Sequence, residues 1–308
     1  MKKLLTCFED AFAPSVKTTL WLLKIMVPIS LAVILMQHYG VIAWLSQYLN
    51  PVFQYLGLPG ASAIAFLTAA SVTTYAGLAV MMSMALTMRE ATILAVMMVL
   101  CHALPLECAV INKVGSNPYK MGLLRIMAAF IAAFGLNFVL PSMPRPFIAR
   151  HTVAADVSVW DVVWQWACGS VRMSLMILVL IYTLMVLQRI LERYNIMRML
   201  VVPLRPVMRF FGLPENAAYL WLVGNVLGIS YGSAAMLDLE DSGQITREEA
   251  NEVNYHLIMN HSMLEDTMTF GVCGVSAVCI LSVRMLFAFC LVWGRKGLKR
   301  IMREVGAG

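Results

Sequence analysis

From Ile25 through Met88 the chain carries no Asp, Glu, Lys or Arg, a run of 64 residues. One membrane-spanning helix needs about 20 apolar residues, so this run alone holds several such segments. Further charge-free stretches cover 126–144, 173–188, 216–237, 267–283 and 285–294. Inside a bilayer every backbone polar group must find a partner within the structure, which restricts such a chain to packed helices. The charged share of 13% is about half that of a soluble domain, too little polar surface for a water-soluble fold. Disorder needs low hydrophobicity and high charge and is excluded on the same ground. The expected fold class is an all-α polytopic membrane protein.

Smaller features exclude other classes. Seven cysteines, at 7, 101, 108, 168, 273, 279 and 290, form no CxxC pair and read as small apolar packing residues. Lys2 and Lys3 look like the start of a signal peptide, but Glu9 and Asp10 interrupt the apolar core it would need, so no cleaved leader is expected. No GxxxxGK[ST] phosphate loop is present.

The chain is internally duplicated. Residues 49–59 read LNPVFQYLGLP and residues 204–214 read LRPVMRFFGLP, identical at six of eleven positions. The offset of 155 continues through Ala63/Ala218, Leu67/Leu222, Gly77/Gly232 and Ala79/Ala234. A four-residue insertion in the loop DLEDSGQIT moves it to 159, where His102 meets His261, Glu107 meets Asp266, Gly115 meets Gly274 and Arg125 meets Arg284. Shared composition can match Leu and Ala, but not His, an acid and Arg in register. Each repeat has four segments after this reading: a plain apolar helix (18–38, 172–190) followed by an amphipathic stretch (40–56, 195–211), a segment with a soft polar centre (59–87, 214–238), a segment with the His and the acid (89–112, 247–270), and one with the Arg (119–140, 276–294). The expected organisation is an amphipathic cytoplasmic N-terminus (1–17), repeat 1 (18–140), a linker with an interfacial helix bearing Trp160, Trp164 and Trp166 (141–170), repeat 2 (171–294) and a basic cytoplasmic C-terminus (295–308).

Positive charge gives the orientation. If all four segments cross, the repeats are parallel and 14 bases fall inside against 7 outside. If one segment per repeat is a re-entrant hairpin, the repeats are inverted, both termini face the cytoplasm, and 17 bases fall inside against 4 outside. The second arrangement fits better: two inverted repeats, each with about three crossing helices and a hairpin or broken helix. The count does not say which segment is the hairpin. The soft-centred one is favoured, because Ser71 to Gly77 and Asn225 to Gly232 sit between two short apolar arms.

Ionisable residues at membrane depth are costly and point to function. The candidates are His102 and Glu107 in Cys101-His-Ala-Leu-Pro-Leu-Glu107, and Asn260, His261, Glu265 and Asp266 in the second repeat. Pro105 should break its helix near His102. Arg125 and Arg284 each lie 18 residues after their acid and are its expected charge partners. The polar hairpin centres add Ser71, Thr73, Thr74, Tyr75, Asn225, Ser230 and Tyr231. Half-helix ends and hairpin tips meeting at the midplane describe a transporter site, and Asn, Ser and acid side chains suit a nucleoside-like solute or a hydrated cation. Within either repeat the His, Cys and acid residues have no metal-binding spacing, and HExxH is absent, so no metal site is expected. No Ser/His/Asp or paired-Asp pattern supports an enzyme.

The doubled pattern resembles the nucleoside recognition or Gate domain proteins. It is carried by Gly57-Leu-Pro59 with Ser71 to Gly77, by Gly212-Leu-Pro214 with Gly224-Asn225 to Gly232, and by the His-acid and Arg segments that follow. The resemblance covers about 20–140 and 171–294. It implies a membrane domain shared by concentrative nucleoside transporters, ferrous-iron transporters and spore-maturation proteins. No N-terminal GTPase is expected, and neither hairpin centre has a cysteine, which departs from an iron transporter. The expected function is movement of a small polar, nucleoside-like solute by alternating access in the plasma (inner) membrane. The alternatives are a non-transporting assembly partner of the spore-maturation type and a divalent-cation transporter. No cofactor is expected beyond a coupling ion, Na+ or H+. Expected partners are the lipid bilayer, the solute, and a second copy or another membrane protein, with no nucleic acid.

Overall fold

The computed structural model describes residues 2–147 and 158–306, with only the backbone of Lys2, Lys3, Ser230, Arg303, Val305 and Gly306. Arg150 and the linker residues 148–157 lie outside the described part. The described residues form helices throughout, with no strand beyond one isolated bridge between Thr87 and Pro146. Five helical stretches are long and apolar enough to cross a membrane: Leu4–His38, Met88–Lys113, Pro118–Val139, Val159–Arg193 and Ala277–Met302. The protein is an all-α, multi-pass membrane protein.

The first repeat opens with α1 (Lys2–His38) and α2 (Val41–Phe53). A helical hairpin follows, α3 (Ser62–Ser71) and α4 (Thr74–Met82). Then come α5 (Met88–Leu100), α6 (Leu104–Lys113) and α7 (Pro118–Val139). The second repeat begins with α8 (Val159–Arg193) and α9 (Ile196–Phe210). Its hairpin is α10 (Ala218–Val226) and α11 (Ile229–Asp241). It ends with α12 (Arg247–Asn260), α13 (Met263–Gly271) and α14 (Ala277–Gly306).

The backbone repeats as the side chains do. Left-handed residues recur as Gly40/Asn195, Gly57/Gly212, Ala103/Ser262 and Gly115/Gly274, at offsets of 155, 155, 159 and 159. Gly57 and Gly212 each end the amphipathic helix, and the amide of the next leucine bonds back to Phe53 or Met208. This left-handed stop is where glycine is favoured. Thr87 with Glu90, and Thr246 with Glu249, build the same capping box at the start of α5 and α12.

The soft-centred segments fold back as hairpins. A Cβ on Gly77 would lie 2.5 Å from the Cβ of Ala69, and one on Gly232 would lie 3.0 Å from the Cα of Gly224. Small residues let the two arms approach this closely. The His-acid segments instead run on as broken helices, interrupted at Cys101–Ala103 and at His261–Ser262.

Helices run through three of the expected boundaries. The boundary at 17/18 lies inside α1, because Cys7, Ala11, Ser15, Thr19, Leu22 and Met26 form one buried stripe along the helix that packs on α8. The helix expected in the linker is the start of α8, which no proline interrupts. Trp160 and Trp164 are exposed on it, while the Trp166 indole donates to Ser30 Oγ at 3.1 Å. The basic C-terminus likewise continues α14 through the boundary at 294/295, pairing Lys299 with Glu248 at 2.6 Å. The paired segment α12–α13, equivalent to Met88–Lys113, is too polar to stand among the five apolar stretches.

Gly77→Val forces the hairpin arms apart and should lower the unfolding free energy by about 1–3 kcal/mol. Gly135→Ala, where an added Cβ meets nothing within 4 Å, should leave it unchanged or raise it by up to about 1 kcal/mol. Thermal unfolding in detergent reads both.

Candidate functional site

Breaking a helix strands backbone carbonyls on one side of the gap and amides on the other. Here both are answered by fixed partners, and by the same partners twice. The amide of Ala103 bonds the carbonyl of Ala69 at 2.9 Å, and that of Ser262 bonds the carbonyl of Gly224 at 3.1 Å. Each hairpin therefore holds the break of its own repeat. On the other side Arg125 Nε donates to the carbonyl of Leu100 at 3.0 Å, and Arg284 Nε to that of Met259 at 2.9 Å. Pro105 is not the cause of the break: it occupies the first turn of α6, where a missing amide is tolerated, and the second repeat breaks at the same place with Leu264 there.

Both arginines are fully buried. Arg125 is paired with Glu107 through Nη1, and Arg284 Nη1 lies 2.9 Å from Asp266. Arg284 also donates through Nη2 to the carbonyl of His261, while Nη2 of Arg125 has no partner among the described residues. The pairs are thus alike in charge and different in detail.

The two histidines sit at the breaks and face each other. Nδ1 of His102 lies 3.1 Å from the carbonyl of Met98, and Nδ1 of His261 lies 2.8 Å from that of Leu257. Their Nε2 atoms are 3.3 Å apart. Glu107 reaches both, 3.1 Å from His102 and 3.1 Å from His261 at its nearer oxygen. Three ligand atoms from His102, Glu107 and His261 lie within 4.8 Å of one another, all three residues buried. Spacing within a single repeat therefore misses a possible metal-ligating set, because this one is assembled across the repeats. Glu107 and His261 are 154 residues apart.

The remaining candidates divide. Tyr75 is buried and donates to Glu265 Oε1 at 2.9 Å, joining the first hairpin to the second broken helix. Thr73 caps α4 by accepting from the amide of Ala76, and Thr74 is buried beside it. Asn225 and Asn260 are buried, and each leaves its Oδ1 without a partner among the described residues. Their amides are used, by the carbonyl of Trp221 and the sulfur of Met285. Ser71 and Tyr231 are exposed, and the side chain of Ser230 lies outside the described part. The sequence reading missed Ser116, which accepts from Asn254 and donates to Asn251, bridging the repeats. Its only signal is a place next to Gly115.

Breaking one buried pair leaves an uncompensated charge. Arg284→Met should cost about 3–5 kcal/mol, and Arg284→Met with Asp266→Asn should recover more than half of it. Thermal unfolding of the three variants in detergent checks this.

Residues 19–116 match the family model described as Gate, nucleoside recognition. The chain is also 27% identical over 300 residues to the uncharacterized membrane protein YvoD of Bacillus subtilis (strain 168), covering 94% of this chain and 93% of that one. No solved structure matches. The chain is a multi-pass membrane protein, and its residues 19–116, most of the first repeat, are similar to the nucleoside recognition (Gate) family.

Proposed function

We propose that the protein is a secondary transporter of a small polar solute, carried through the centre where the hairpins and helix breaks meet. One observation supports this above the others: His102 and Glu107 from one repeat and His261 from the other are buried together at the two breaks. Ionisable groups inside a membrane bundle mark solute or proton paths, and broken helices from two repeats are how such paths are built.

The repeats are taken to be inverted. With the hairpins re-entrant, 17 of the 23 bases lie on the cytoplasmic side with both termini, which suits the plasma (inner) membrane. Alternating access is then the rocking of one repeat against the other about the shared centre. The unpaired Oδ1 atoms of Asn225 and Asn260 are acceptors suited to a nucleoside-like solute, and Na+ or H+ is the coupling ion. The role is that of a carrier and not an enzyme.

Full-length protein in liposomes should take up a labelled nucleoside or nucleobase saturably under a sodium or proton gradient, and Asp266→Asn should reduce the rate at least about tenfold, the effect of about 1.4 kcal/mol. If a folded preparation moves no nucleoside, nucleobase or cation under either gradient, the transport reading is wrong.

A further inference from the structure

We infer that His102, Glu107 and His261 form a binding site for one divalent transition-metal ion. A carbonyl oxygen only accepts hydrogen bonds. The Nδ1 atoms that face Met98 and Leu257 must therefore both carry a proton. In a neutral imidazole the other nitrogen, Nε2, is then a lone pair. Both lone pairs point into the same space, 3.3 Å apart, with an anionic carboxylate 3.1 Å from each. Three electron-pair donors facing one point repel one another unless a cation lies among them. A proton joins two of them. A metal ion joins all three.

The distances suit a metal. Zinc lies about 2.0–2.2 Å from nitrogen and oxygen ligands. At that radius, neighbouring ligands are about 2.8–3.1 Å apart in an octahedron and about 3.3–3.6 Å apart in a tetrahedron. The separations of Glu107 Oε1 from the two histidines, 3.1 and 3.2 Å, and of the two Nε2 atoms, 3.3 Å, fall within that span. Two imidazoles and one carboxylate are a donor set for zinc or ferrous iron, whereas magnesium and calcium take oxygen ligands. The surroundings are also those of a metal site. Each histidine gives its Nδ1–H to a backbone carbonyl, which fixes the ring, and Arg125 holds the other oxygen of Glu107. Asp266, at the equivalent position, is one methylene shorter and bonds Arg284, so the site has one carboxylate. The assignment concerns binding alone and does not depend on what the protein carries.

The full chain, purified in detergent and stripped with a chelator, is titrated with Co2+ and followed by visible absorption and elemental analysis. The expected result is one Co2+ per chain, displaced by Zn2+ and not by Mg2+, with a rise in the thermal midpoint. His102→Ala and His261→Ala should each weaken binding about a hundredfold and Glu107→Gln about tenfold, while His38→Ala leaves it unchanged. Gel filtration checks that each variant is folded. If the histidine variants are not, Glu107→Gln, which keeps the side-chain shape, carries the test. The assignment is overturned if the wild-type chain binds no Co2+ saturably, or if the folded variants bind it as tightly as the wild type.

Discussion

Two fully buried guanidinium groups govern this interior. Removing an arginine and a carboxylate from water costs several kcal/mol per ion, and the cost is offset only when every donor finds a good acceptor. Arg284 meets that requirement in full and Arg125 in all but Nη2, both by using the carbonyls that the broken helices leave unpaired. The breaks and the buried charges thus solve each other's problem. A straight helix would offer no carbonyl to the arginine. An unbroken apolar core would offer no reason to bury it. The hairpins complete the arrangement by bonding the amides on the far side of each gap.

The duplication does not yield two equal halves. Glu107 reaches both histidines, whereas Asp266 is held by Arg284. Thr73 caps its hairpin arm with a side chain, and Gly228 at the matching position has none and takes a φ of 93°. Gly228 has little space for a side chain, since a Cβ there would lie 2.9 Å from Ser262 Oγ. The common framework sets where the two breaks lie. The small differences decide that a single shared centre forms, fed by one carboxylate, instead of two separate ones.

Much of this was legible because charge is scarce. The matched His, acid and Arg positions predicted the network within each repeat, and the polar hairpin centres with small residues predicted the fold-back. The helix break was expected for a different reason, since Pro105 drew attention that the bonding partners of Ala103 and Ser262 deserve. The contact between His102 and His261 was not legible. Sequence spacing speaks of one helix or one turn, and these residues meet only when two distant segments pack. For the same reason the grouping of His102, Glu107 and His261 was missed, and Ser116 passed unnoticed. Boundaries drawn at 17, 170 and 294 followed the charges, but a helix passes through exposed charges without interruption.

The central claim is that the two repeats share one buried centre. A double-mutant cycle on Glu107→Gln and His261→Asn, read as unfolding free energy in detergent, addresses it directly. Residues in contact couple by about 0.5–3 kcal/mol, and distant ones add independently. The account predicts a coupling of at least about 1 kcal/mol between these positions, 154 residues apart in the chain. Additive effects in two folded single variants would contradict it.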